Sequence, residues 1–520
     1  MRKFISIVAS ITLIISSLSS TAIFAVSNEN YDATVSNGSV VALQNAFDNA
    51  KKYGTAKSPY TIHVTKSINV KKALSMYSNT KLVADKGVKF VRNIGRKSDT
   101  YMIRFGAPNS NASGYKYKNI TIDGGTWDGN GKKGDTPFVM FKLAHAENIT
   151  LSNCTFQKDV GKHMVEAAAI NGMKVYKCTF KNHISNTSSY ENQEALQLDV
   201  NLKNTTKMGN YDKYQNKNFT VEKCTFDNVG RGVGSHNSIE GVYFTKMNII
   251  NNTFNNLKSY AIDLINYRNS KIQKNKINNC VAGIYFINVK SDHQNSAVVP
   301  SWNLKLNTKK DNSIISDNTV ITKTSNNKNA RCLLVRGENI KKKIGNSYLK
   351  GDHRVYGLTI KNNTFKTAYT SAVQLIGAKK CSFANNKLYY TGKKSNKENY
   401  IALYADETSD ETSMCNNEIN KFKTGIACKN SKKLKVENNT ILNSVSQGIY
   451  FEKSNGTVKN CKIQNVEINH GIALVGKSKL TVSKCTIKKC KQWGIAIISG
   501  SAAVKNCKFS GNKKGNIYRA

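Results

Sequence analysis

Acidic residues are scarce in this chain: 33 Asp and Glu stand against 78 Lys and Arg, a formal net charge of +45 over 520 residues. That balance favours an anionic partner, either an acidic polysaccharide or an anionic cell-envelope polymer. The lysines are scattered through the turns rather than clustered, so they also serve as solvated groups that blunt exposed strand edges. No nucleic-acid-binding motif accompanies the charge, so nucleic acid is not an expected partner. Apolar runs are missing as well. After residue 25 no segment is apolar enough to span a bilayer. No cysteine precedes Cys154, and no CxxC pair or Cys/His cluster has zinc spacing, which argues against a metal site of that kind.

Residues 1–25 read as a secretory signal. Arg2 and Lys3 precede an apolar run from Phe4 to Leu18, and small residues end at Ala25. The expected location is therefore outside the cell, with charge as a means of holding the protein to the envelope. Residues 26–58 form an N-terminal segment with one helix over 39–54. Ser39 caps it, Val40, Leu43, Phe47 and Ala50 share a face, and Gly54 ends it. Such a helix covers the open end of a stack of strands.

What fills the remainder, 59–520, is a repeat. NITLSNCTF (148–156), MKVYKCTF (173–180), MNIINNTF (247–254), LTIKNNTF (358–365) and GTVKNCKI (456–463) share one pattern: alternating apolar residues, a polar pair, then Asn or Cys. The commonest spacing is 22–24 residues, and about fourteen units fit. A second series interleaves with the first: AIDLIN (261–266), GIYFIN (283–288), GIACKN (425–430), GIYFEK (448–453), GIALVG (471–476) and GIAIIS (494–499). Units of short strands that cannot bury an apolar face alone must stack. The expected architecture is an all-β, right-handed parallel β-helix, the hand following from the general rule for parallel crossovers. The chain resembles the pectate-lyase-like and polygalacturonase-like β-helix superfamily over roughly residues 60–515, and the likeness lies in the repeat. A monomer is expected. Asn fills the same slot as Cys154, Cys178 and Cys224, so the cysteines are expected to be free, stacked, inward-facing thiols.

Aligning the second series by its first small residue places Met164, Ala195, Gly232, Ala261 and Gly283 in register. Glu166, Gln197, Gly234, Asp263 and Tyr285 then point outward, followed by Ala168, Asp199, His236, Ile265 and Ile287. His163, Glu194, Arg231 and Tyr260 precede the strands. Polar groups therefore collect on one face of four consecutive rungs, whereas later rungs carry Ala427, Ala473 and Ala496 at the same position. Glu166, Asp199, His236 and Asp263 are the candidate catalytic residues. His163, Glu194, Gln197, Arg231, Tyr260 and Arg268 are the candidate substrate-binding ones. Glu166 and Asp199 differ by one rung and two residues, roughly 8 Å between Cα atoms. That spacing suits an inverting glycosidase. Asp199 and His236 share a column and are expected to hydrogen-bond. Segments 182–193, 201–218 and 288–311 are long enough to wall a groove, and Tyr211, Tyr214, Tyr260, Tyr267 and Trp127 are candidate sugar platforms.

The family resemblance implies acid–base cleavage of a polysaccharide. EALQLD (194–199) sits where that family's acidic strand motifs lie, and RGVGSH (231–236) loosely resembles its Gly-His-Gly segment. The family's Asn-Thr-Asp, Asp-Asp and Arg-Ile-Lys motifs are not intact. The leading expectation is glycoside hydrolysis with no cofactor. β-Elimination on a uronate polymer is the alternative, with Arg231 or Arg268 neutralising the uronate and with calcium on a Glu166–Gln197–Asp263 strip. A non-catalytic glycan-binding solenoid is the third.

Overall fold

The computed structural model describes residues 30–95, 101–108, 110–187, 190, 193–201, 208–239, 243–288, 311–323, 330–337, 339–344, 347–369, 371–393 and 398–520. The expected signal segment, 1–25, lies outside them.

The repeat folds as a parallel β-helix. Each full coil carries three strands, two joined in a 32-stranded sheet and the third in a sheet of sixteen. One coil shows the plan: Glu194–Asp199, then Lys217–Glu222, then Thr225–Asp227. The turn between the second and third strands explains the sequence column. The residue before each Asn or Cys lies in the left-handed region, as at Asn153, Lys177, Lys223, Asn251, Lys274 and Asn416. Asn tolerates that conformation better than most residues.

The following Asn or Cys points inward. Asn252, Asn275, Asn318, Asn363, Asn386, Asn417 and Asn439 form a buried amide ladder, each Nδ2 donating to the next Oδ1 at 2.9–3.2 Å. Asn275 Nδ2 also donates to the carbonyl of Ile249 at 2.8 Å, so both amide hydrogens are used. A thiol fits the same slot: Cys154, Cys178 and Cys224 donate to backbone carbonyls at 3.2–3.6 Å, and all twelve cysteines are free. Beside this ladder the rings of Phe156, Phe180, Phe226 and Phe254 stack with centroids 4.7–5.0 Å apart. That is the sheet spacing itself.

The helix runs Val40–Tyr53. Ser39 Oγ accepts from the Ala42 N–H, and Leu43, Ala46, Phe47 and Ala50 are buried. These apolar side chains cover the first coil and close the apolar interior. No helix among the described residues is long and apolar enough to cross a membrane.

Candidate functional site

The strands carrying the outward polar residues pair in the register that the inward apolar positions dictate. Val165 aligns with Leu196, Leu196 with Val233, Val233 with Ile262 and Ile262 with Ile284. One outward column therefore reads Arg104, Lys142, Glu166, Gln197, Gly234, Asp263, Tyr285. A pairing three residues earlier places Glu194 beside Arg231. Gly234 is required in its place: a Cβ there would stand 2.7 Å from the carbonyl oxygen of Asp263.

Glu194 is the hub. It is fully buried, and Arg231 Nη1 donates to its Oε1 at 3.2 Å. His236 Nδ1 lies 3.1 Å from its Oε2, and His163 Nδ1 lies 3.1 Å from its backbone oxygen. Burial alone raises the Glu194 carboxyl, but His236, Arg231 and His163 together hold it below the ordinary range. Burial pushes His163 down to about 3 against the pull of Glu194, so its ring is neutral. His236 goes the other way. Burial opposes its charge, yet Asp199 and Glu194 raise it to about 9. The two imidazoles stack with centroids 5.5 Å apart. Arg231 Nη1 also donates to Asp263 Oδ2, while burial keeps the Asp263 carboxyl raised to about 6.

The expected Asp199–His236 side-chain bond is replaced by another arrangement. The strand ends at Gly234, and beyond it the chain turns. The N–H groups of His236 and Asn237 both donate to Asp199 Oδ1, at 3.3 and 3.2 Å. Asn237 Nδ2 donates to Asp199 Oδ2 at 2.6 Å, as does Gln197 Nε2. His236 Nε2 is 3.8 Å from that oxygen, and its closer partner is Glu194. Asp199 is fully enclosed, and burial holds it raised to about 6 against the opposing pull of His236.

Glu166 differs from its neighbours. Its side chain has no hydrogen bond or ion pair with a described residue, and burial pushes it up to about 7 against the pull of Lys142. It stands between Lys142 and Gln197 in the ladder. One rung before it begins a cavity of about 110 Å³, lined among others by Tyr101, Arg104, Tyr117, Lys142, His145 and Met208. Sequence reasoning missed Arg104 and Lys142. Extending the strand alignment one rung back to FKLAHA would have found Lys142, because it shares Glu166's column.

The insertions fold back on this face. His183 bridges Asp159 Oδ2 at 2.8 Å and Gln193 Oε1 at 2.7 Å, which ties the first residues of the insertion to its last. Asp212 Oδ2 accepts from Ser113 Oγ and the Gly114 N–H, both at 2.6 Å, which ties 208–218 across to an earlier coil. Of the third insertion, 288–311, residues 289–310 lie outside the described residues.

Several candidates fall elsewhere. Arg268 sits on the neighbouring face, its guanidinium 3.3 Å from the Tyr243 ring centroid, away from the carboxyl cluster. Tyr267 is fully buried with its hydroxyl 2.8 Å from Ser235, and Trp127 is buried against Phe90, so neither presents a ring to a sugar. Tyr260 stacks on Tyr285 at 5.0 Å beside Asp263. Tyr211 and Tyr214 are exposed. The oxygen strip considered for calcium is interrupted, because Gly234 separates Gln197 from Asp263 and Arg231 occupies Asp263 Oδ2.

Residues 348–514 match the family described as the right-handed β-helix region. Among solved structures, the chain is similar to PfbA, a surface adhesin of Streptococcus pneumoniae: 16% identity, TM-score 0.51, covering 80% of this chain and 87% of that one. It is also similar to the tailspike protein of E. coli bacteriophage HK620 in complex with a pentasaccharide, with 14% identity, TM-score 0.49, and 92% and 76% covered. A third is a family 28 exopolygalacturonase of Yersinia enterocolitica, with 12% identity, TM-score 0.39, and 81% and 75% covered. Comparison with curated proteins gives no match. The fold is thus a right-handed parallel β-helix. At these identities the likeness extends to the fold alone, because one fold hosts many chemistries.

Proposed function

We propose that this protein is an exported carbohydrate-active enzyme that cleaves an acidic polysaccharide by acid–base glycoside hydrolysis. Glu166 carries the reading. It is a carboxyl raised to about 7, without a fixed partner, one rung on from Lys142, which with Arg104 lines a cavity. A group held protonated near neutral pH is suited to deliver a proton to a leaving oxygen. Asp199, one rung and two residues on, is the partner carboxylate, its Cα roughly 8 Å from that of Glu166 by sheet geometry, a spacing compatible with a water molecule between the two carboxyl groups. Gln197 closes Asp199 in the unliganded arrangement, so the reading requires that side chain to swing aside when substrate binds.

The β-elimination alternative loses support, because Arg231 is engaged by Glu194 and Asp263 rather than offered to a uronate. A glycan-binding solenoid without catalysis is the second reading, and the same ion pairs favour it: Glu194 and Asp263 are locked to a cation.

The test is a depolymerisation screen of the mature protein on pectate, alginate, glycosaminoglycans and neutral glycans, with and without calcium. Reducing ends and unsaturated-uronate absorbance are followed together. Reducing ends alone support hydrolysis, and both signals rising support elimination. Intact polymers that bind at low salt and release at high salt support the binding reading.

A further inference from the structure

Acid–base chemistry at Glu166 leaves three ligand-type side chains without a role. His163, Glu194 and His236 each offer a donor atom within 4.8 Å of the other two. His236 Nδ1 and His163 Nδ1 lie 3.1 and 3.5 Å from the same Glu194 oxygen, Oε2. Around a tetrahedral ion with bonds of about 2.0–2.1 Å, neighbouring donor atoms stand roughly 3.3 Å apart. Two of the three separations match that spacing and the third is no more than 4.8 Å; an ion on His163 Nδ1 would displace its 3.1 Å contact with the Glu194 carbonyl oxygen.

A second observation points the same way. Gln197 Oε1 and Asp263 Oδ1 are buried with no hydrogen-bond partner, in residues that are 1% and 2% exposed. The Gln197 amide lies against this trio, its Nε2 being 3.1 Å from His236 Nε2. Buried oxygens without a partner beside a ligand cluster are consistent with an ion, or a water on it, completing their bonding.

The surroundings suit coordination. Arg231 holds Glu194 Oε1, which leaves Oε2 for an ion. With His236 bound through Nδ1, its Nε2 lies 3.1 Å from the Gln197 amide and 3.8 Å from Asp199 Oδ2, so either group could orient the ring after a small side-chain turn. The His236 side chain is 15% exposed, so one side opens to the groove.

We propose that His163, Glu194 and His236 form a site for a divalent transition metal, with Zn²⁺ the reference ion. Two imidazoles and one carboxylate suit such an ion and do not suit calcium, which takes six to eight oxygens. The ligands are 31 and 42 residues apart in sequence, so no local motif announces them. The site does not depend on polysaccharide cleavage, and it is tested without substrate.

The full mature chain, stripped with EDTA and dialysed, is titrated with Zn²⁺ by calorimetry and with Co²⁺ by visible absorption. One equivalent should bind, with ligand-field bands of a nitrogen–oxygen site that Zn²⁺ bleaches and Ca²⁺ leaves alone. His163→Ala, His236→Ala and Glu194→Gln should each weaken binding by at least ~10-fold. His63→Ala, whose imidazole pairs with Asp85 in an early coil, should leave it unchanged. Circular dichroism identifies any variant that does not fold, and the wild-type cobalt spectrum then decides alone. Folded wild type that takes up no ion overturns the proposal. So does binding that survives in folded ligand variants.

Discussion

The coils around residues 141–287 and those around 424–497 are built on one scaffold and differ in what they present. Both stack a small polar residue at the same inward turn, Cys178 and Cys224 in one, Asn439 and Cys461 in the other. Both pair their site-face strands in the same register. In the first region the outward column reads Lys142, Glu166, Gln197, Gly234, Asp263. In the second it reads Ala427, Tyr450, Ala473, Ala496. The interior demands nothing of the outward column, so that column is free to vary, and between these two stretches it is the first that fills it with charged and amide groups. The ion pairs differ likewise. Arg231 is nearly buried between two enclosed carboxylates, whereas Lys429 and Glu452 meet at 2.9 Å with about a third of each side chain in solvent.

The sharpest break in the comparison is catalytic. Glu166→Gln should lower cleavage by ~10²–10⁴-fold, the usual contribution of a positioned acid, while Glu452→Gln in the later coils leaves it unchanged. Reducing-end assays on both variants check this. Next in size is Arg231→Ala, which leaves Glu194 and Asp263 buried without their cation and should cost about 3–5 kcal/mol in denaturant unfolding. Lys429→Ala, at the exposed pair, should cost less than about 1 kcal/mol.

A pH effect of intermediate size belongs to the first region. Glu166 is raised to about 7 in the folded chain from an ordinary 4.5, so the folded state holds its proton more tightly. The stability this group contributes is complete below pH 4.5 and is lost as pH rises through about 7, with an upper bound of ~3 kcal/mol. Glu166→Gln should reduce the fall in unfolding free energy over that window, to which Asp199 and Asp263 also contribute, and it should not destabilise the fold at neutral pH. An effect of similar size concerns the shared interior. Asn275→Ala removes an amide that serves two neighbours and should cost about 1–3 kcal/mol, because the groups it satisfied stay buried. Asn275→Cys should recover part of it, since thiols occupy the equivalent slot in other coils.

Register was legible because period-two alternation admits one alignment: a slip by one residue would turn Val165, Leu196, Val233 and Ile262 out of the core. The helix was legible from Ser39 and its apolar face. Side-chain partners were not. Asp199 and His236 share a column on paper, yet the strand ends at Gly234, and the turn presents backbone N–H groups to Asp199 while the imidazole reaches back to Glu194. Tyr267 and Trp127 were misjudged for a related reason: aromatic residues next to a coil corner can face either way, and these two fill the interior. Arg268 follows a corner and lands on another face. Spacing along the chain locates a rung, but the corner decides the direction.

The most direct test of the account is one paired assay. Wild type, Glu166→Gln and Glu452→Gln are compared for release of reducing ends from a panel of acidic polysaccharides near neutral pH. Release is expected from wild type and Glu452→Gln, and little or none from a folded Glu166→Gln. Equal release by all three, or intact polymer with all three, contradicts the assignment of catalysis to the polar face of residues 141–287.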